Sequence, residues 1–116
     1  MQLRCFVDVP EILLQQVSAA LTYSPALAVQ LGHEVAKLTV PLPANWKPSI
    51  NQKVHALEMT FSKETGTLYG LSEVGDGVSG GWVGSCMPTG LVVKFLRAWL
   101  LEARKAGRPK QPGLFD

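Results

Sequence analysis

Residues 89–107 read TGLVVKFLRAWLLEARKAG, and this stretch decides the architecture. Val92, Phe95, Leu96, Trp99, Leu100 and Ala103 fall at i, i+3, i+4, i+7, i+8 and i+11. A helix of about 3.6 residues per turn returns those positions to one side, so the segment is a helix with a single apolar stripe. Thr89 is placed to cap its N-terminus and Gly107 to stop it. A stripe of this size has to be buried against another layer.

Working back from that helix, the chain offers strands. In Lys53 to Ser62, Val54, Ala56 and Glu58 alternate with His55, Leu57 and Met59. Lys63-Glu64-Thr65-Gly66 is a tight hairpin turn, and Thr67 to Val74 is the returning strand. Asp76-Gly77 signals another turn, and Trp82 to Met87 reads as one more short strand. His33 to Val40 fits two periods. Leu27, Leu31, Val35 and Leu38 would extend a helical stripe, whereas Ala36, Leu38 and Val40 alternate with Lys37 and Thr39. Gly32 before it, with Pro41 and Pro43 after it, favours the strand. The proline-rich connection Pro41 to Asn51 carries Trp46, expected over an edge of the core.

At the N-terminus, Gln2 to Val9 reads as a strand and Asp8 with Pro10 as a helix entrance. Leu13, Val17, Ala20 and Leu21 then share one helical face up to about Tyr23. Ser24-Pro25 has the form of a cap and first-turn proline for a second short helix closed by Gly32. The expectation is an α+β domain over residues 1–107: a small, mostly antiparallel sheet packed against an N-terminal helical pair and a long C-terminal amphipathic helix. Residues 108–116, with two prolines and a glycine, should form an extended tail.

The 116 residues, 47% apolar and 17% charged, suit one domain with one core and exclude disorder over most of the chain. No apolar run approaches the roughly 18 residues of a membrane span. The start MQLRCFVDVPE lacks a basic and apolar leader, so a cytoplasmic location without a membrane partner is expected. Cys5 and Cys86 are distant, and His33 and His55 are isolated. A structural zinc site needs about four ligands, so neither metal nor cofactor is expected, and the cysteines read as small buried hydrophobes. Charge is uneven: residues 1–93 balance to −2 and residues 94–116 to +4. That asymmetry suggests an acidic partner for the C-terminal part.

Several patterns carry candidate chemistry. Gly75-Asp76-Gly77-Val78-Ser79-Gly80 has the GxGxxG spelling of a dinucleotide loop, but no helix follows it, so a hairpin connection is the better reading. Cys86 lies just before the last helix, where the dipole favours a thiolate; a nucleophile there would need a base, and no spacing brings either histidine to it. Asp8, Glu11, Glu34, Glu58, Glu64, Glu73 and Asp76 show no diagnostic pairing and read as solvated surface charge. Lys94, Arg97, Arg104 and Lys105, with Leu101, lie opposite the apolar stripe of the last helix. That face suits either a phosphate backbone or plain solvent.

Gln111-Pro112-Gly113-Leu114-Phe115 resembles the QxxLF form of the pentapeptide by which bacterial replication and repair proteins bind the DNA sliding clamp. The resemblance covers five residues. It implies that the Gln111 amide makes polar contacts at a pocket rim while Leu114 and Phe115 fill an apolar cleft. Pro112 and Gly113 depart from the commoner leucine and serine or aspartate at those slots. The alternative is that Leu114 and Phe115 fold back onto the chain's own core.

These readings favour a small cytoplasmic binding adaptor tethered to the clamp by its tail, of a size that suits an accessory protein of a mobile element. Two alternatives remain open. One is a ligand-binding domain or enzyme using Cys86 and the glycine-rich loop. The other is a DNA-binding module using Lys94, Arg97, Arg104 and Lys105.

Overall fold

The stripe of residues 89–107 finds its partner in one face of a sheet. The computed structural model describes residues 2–23, 28–30, 35–50 and 52–107. The elements run β1 (Arg4–Cys5), α1 (Glu11–Tyr23), β2 (Ala28–Gln30), β3 (Val35–Pro41), β4 (Val54–Ser62), β5 (Thr67–Gly75), β6 (Val78–Val83), a 3-10 turn (Gly84–Cys86) and α2 (Thr89–Gly107). The sheet order is β1-β5-β4-β3-β2, and β6 also pairs with β5. β1 lies parallel to β5 at Thr67 and Leu68, β6 antiparallel to it from Gly70 to Gly75, and every other pairing is antiparallel. The architecture is α+β, with a mixed, mostly antiparallel sheet.

Register explains which side chains face the helices. Val40 pairs with Leu57 and Leu57 with Glu73; Leu38 pairs with Met59 and Met59 with Leu71; Ala36 pairs with Phe61 and Phe61 with Leu68. Paired residues share a face, so these rows form one apolar surface, broken only by Glu73. Leu13, Val17 and Ala20 of α1 and Val92, Phe95, Leu96, Trp99, Leu100 and Ala103 of α2 complete the core. The Trp99 indole N–H donates to the Leu38 carbonyl at 3.3 Å, which fixes α2 across β3. On the other face Lys37 Nζ meets Glu58 Oε1 at 3.3 Å, and Thr39 Oγ1 donates to Glu58 Oε2 at 3.3 Å.

Two one-residue bulges shift the strand alternation. Val54 pairs with Gly75 and Ala56 with Val74, which leaves His55 as an extra residue. His55 is therefore exposed, not aligned with Leu57 and Met59 as an unbroken alternation requires. The step from Thr60–Gly70 to Phe61–Leu68 leaves Tyr69 extra, so Leu68 and Leu71 both enter the core.

Four expectations about the bounds and caps of the elements need correction. Ala28–Gln30 is a strand, not part of a second helix; pairing with Leu38, Lys37 and Ala36 satisfies an edge of β3 that would otherwise stay open. Ser24–Leu27 and Leu31–Glu34 lie outside the described residues. The N-terminal strand shortens to Arg4–Cys5, because the Leu3 N–H goes to Ser18 Oγ at 2.8 Å rather than to a strand. The last strand covers Val78–Val83 rather than Trp82–Met87, since Gly84 at φ 54° turns the chain into the 3-10 turn. Finally, the Val92 N–H bonds to the Pro88 carbonyl at 2.9 Å, so Pro88 rather than Thr89 holds the capping position of α2.

Candidate functional site

The helical repeat that buries one side of α2 displays the other. Arg97, Leu101 and Arg104 are spaced i, i+4 and i+7, hence on one outward stripe. All four basic residues singled out on this helix, Lys94, Arg97, Arg104 and Lys105, are exposed. Two of them are engaged. Lys94 Nζ sits 5.3 Å from the centroid of the Trp46 ring, and Lys105 Nζ lies 3.2 Å from Glu102 Oε2. Arg97 and Arg104 make no ion pair among the described residues.

These two arginines border a groove of about 380 Å³ between α1 and α2. Leu13 and Leu100 form its floor, and Ile12, Gln16 and Leu101 its walls. Ile12 is 63% exposed and Leu101 54% exposed, although both are large apolar side chains. Among the described residues no carboxylate lines the groove. A second concavity of about 260 Å³ adjoins it, lined by Trp46 and the Pro43–Asn45 bend, and it shares Arg97 and Leu101. The product is an apolar ridge and cleft with two guanidinium groups that pair with no described carboxylate, suited to contact rather than bond-making.

The bend behind this surface is anchored by Glu73, which is 0% exposed. Its Oε2 accepts the Trp46 indole N–H at 2.7 Å, and its Oε1 accepts the Ser49 N–H at 2.9 Å and the Ser49 hydroxyl at 2.7 Å. Trp46 also meets Phe95 of α2 edge-on, with centroids 5.7 Å apart and planes at 88°. Glu73 is therefore not a solvated surface charge. It faces inward because it pairs with Leu57 in the register of the apolar rows, and the Trp46 and Ser49 donors offset its burial.

The glycine cluster is strand, turn and strand: Gly75 ends β5, Asp76 and Gly77 turn the chain with Gly77 at φ 70°, and Gly80 lies in β6. No helix N-terminus follows to receive a pyrophosphate. Cys86 is exposed on the 3-10 turn, contrary to a small buried hydrophobe, because that turn buries none of its residues. His55 Nε2 lies 3.3 Å from Asp76 Oδ1, so its polar partner belongs to the β5–β6 turn and not to Cys86. Cys5 is half-buried, and burial pushes its thiol up against the opposing effect of hydrogen bonds from the Val7 and Phe6 backbone. Among the described residues no three His, Cys, Asp or Glu side chains cluster as a metal site. None of the described helices is long and apolar enough to cross a membrane.

Comparison with family models, curated proteins and solved structures gives no match. Gln111, Leu114 and Phe115 lie outside the described residues. The structure does unite the α2 stripe with Ile12 of α1, which sequence spacing does not connect. The only sequence signal for that union is Leu101, an apolar residue set among cations.

Proposed function

We propose that the protein is a small cytoplasmic binding adaptor whose segment Gln111–Phe115 attaches it to the DNA sliding clamp. The observation that carries this reading is the likeness of QPGLF to the clamp-binding pentapeptide. In this reading the Gln111 amide meets the cleft rim while Leu114 and Phe115 leave water for an apolar pocket. Pro112 narrows the conformations of the free segment and so lowers the entropy lost on docking, which Gly113 partly offsets. The tether holds the folded body at high effective concentration beside replicating DNA. The α1–α2 surface supports a binding role for that body, because it exposes Ile12 and Leu101 where solvation alone favours polar side chains.

The alternative of a DNA-binding face has one point in its favour, the unpaired state of Arg97 and Arg104. Against it, Leu101 stands between them on the stripe and offers a phosphate backbone no donor.

The test is a fluorescence-anisotropy titration of the labelled peptide Lys110–Asp116 with purified bacterial clamp. Saturable micromolar binding, lost when Leu114 and Phe115 are both alanine, is expected. Absence of binding at high micromolar clamp, or indifference to that double substitution, removes the proposal.

A further inference from the structure

We infer that the α1–α2 groove is a docking site for an acidic amphipathic helix of a partner protein. This inference does not rest on the clamp reading and concerns a different part of the molecule.

The groove has the two features such a segment recognises. Ile12 and Leu101 keep 63% and 54% of their surface exposed above a floor of Leu13 and Leu100, so apolar side chains of a partner would leave water there. Arg97 and Arg104 border the same groove without an acidic partner among the described residues, while Lys94 and Lys105 on the same helix are occupied. The two arginines are seven positions apart on α2, a spacing of about 10 Å along the helix axis. The complementary segment is a helix laid along α2, with leucine-like residues at i and i+4 over Ile12 and Leu101 and carboxylates two turns apart beside Arg97 and Arg104. Guanidinium groups pair with carboxylates in bidentate fashion, which fixes the register of such a helix.

Charge decides against other occupants. A second copy of this surface would bring Arg97 and Arg104 toward their own symmetry mates, and like charges facing each other weaken association. Residues 108–116 of the same chain carry Arg108 and Lys110 against the single acidic side chain of Asp116, so that segment has no row of carboxylates to set beside both arginines. Duplex DNA would satisfy the arginines and leave Ile12 and Leu101 against phosphate and water.

The experiment uses the full chain and a defined probe: a fluorescein-labelled peptide of about 15 residues, near the length at which isolated helices become stable. One face of the peptide is leucine, flanked by glutamates seven residues apart. Saturable binding below about 100 μM is expected, the weak end of affinities for a small interface. Arg97→Glu with Arg104→Glu should weaken it at least about tenfold, and Ile12→Ser with Leu101→Ser by a similar factor, the scale of central interface contacts. Both pairs alter exposed positions, so the melting temperature should fall by no more than the few degrees that a reversed charge in the last turn of α2 costs, and the circular-dichroism spectrum should stay that of the parent, which separates lost docking from lost folding.

Several results would overturn the inference. One is no saturable binding of the probe. Another is equal binding of a scrambled peptide of the same composition, which would reduce the contact to charge alone. Duplex DNA binding that depends on the arginines but not on Ile12 or Leu101 would make the face a phosphate surface. Self-association abolished by Ile12→Ser would assign it to a second copy. Tighter probe binding after removal of residues 108–116 would assign it to the chain's own tail.

Discussion

The indole N–H of Trp46 donates to Oε2 of Glu73 at 2.7 Å, joining the bend after β3 to the inner face of β5. The carboxylate oxygens have further donors in the Ser49 N–H and hydroxyl, so the bend is tied at both ends of one side chain. Through Trp46 the same anchor reaches Phe95 and Lys94 of α2. The wall of the smaller concavity therefore depends on a residue that never meets solvent.

Glu73→Gln puts an amide N–H₂ among donors and should cost about 1–3 kcal/mol, the range for leaving buried polar groups unsatisfied. Trp46→Phe should cost a similar amount by removing the donor from the other side. The double variant should be less destabilised than the sum of the two, because both changes remove the same bond. Urea unfolding monitored by circular dichroism checks this, with additive losses as the contrary outcome.

The glycines of β6 and its turn should respond differently to alanine. A Cβ on Gly81 would lie 2.0 Å from the Leu71 carbonyl oxygen, a backbone atom that cannot step aside. Gly77 has open space around it but sits at φ 70°, where a side chain costs about 1–2 kcal/mol. Gly81→Ala should lower the melting temperature more than Gly77→Ala, and Gly77→Asn should recover part of the loss because asparagine tolerates that conformation. Thermal melts of the three variants give the order directly.

The two thiols should separate by reactivity. Cys86 is exposed, whereas Cys5 is half-buried and burial pushes its thiol up. Iodoacetamide at mildly alkaline pH should modify Cys86 first, as peptide mass mapping will report. The raised value also carries a stability consequence. The fold holds the Cys5 proton more tightly than the unfolded chain does, so this contribution is complete below the unfolded thiol value of about 8.5 and is lost as pH rises through the folded one. Cys5→Ala should flatten the alkaline fall in unfolding free energy.

The parts of this fold that were legible in the sequence are those with a local period. The stripe from Val92 to Ala103 fixes α2, and the alternation closed by Lys63–Gly66 fixes the β4–β5 hairpin. Ala28–Gln30 is a strand because β3 lies beside it, and no residue of that tripeptide announces it. The bulges at His55 and Tyr69 likewise arise from cross-strand fit, so alternation alone misplaced His55. Of the candidate surface, the basic stripe was visible from helical spacing. Its apolar neighbour Ile12 was not, because helix–helix packing is set by the tertiary core. Glu73 was hidden for a related reason: a charged residue in a strand reads as outward until its donors, Trp46 and Ser49, are brought to it from the preceding connection.

The attachment of the chain to the sliding clamp is tested most directly by titrating labelled clamp with the intact protein, its Leu114→Ala/Phe115→Ala variant and its Arg97→Glu/Arg104→Glu variant. The parent should bind saturably, the Leu114→Ala/Phe115→Ala variant at least about tenfold more weakly, as expected of central anchor side chains, and the arginine variant like the parent. Equal binding by the tail variant and the parent, or no binding by either, would contradict it.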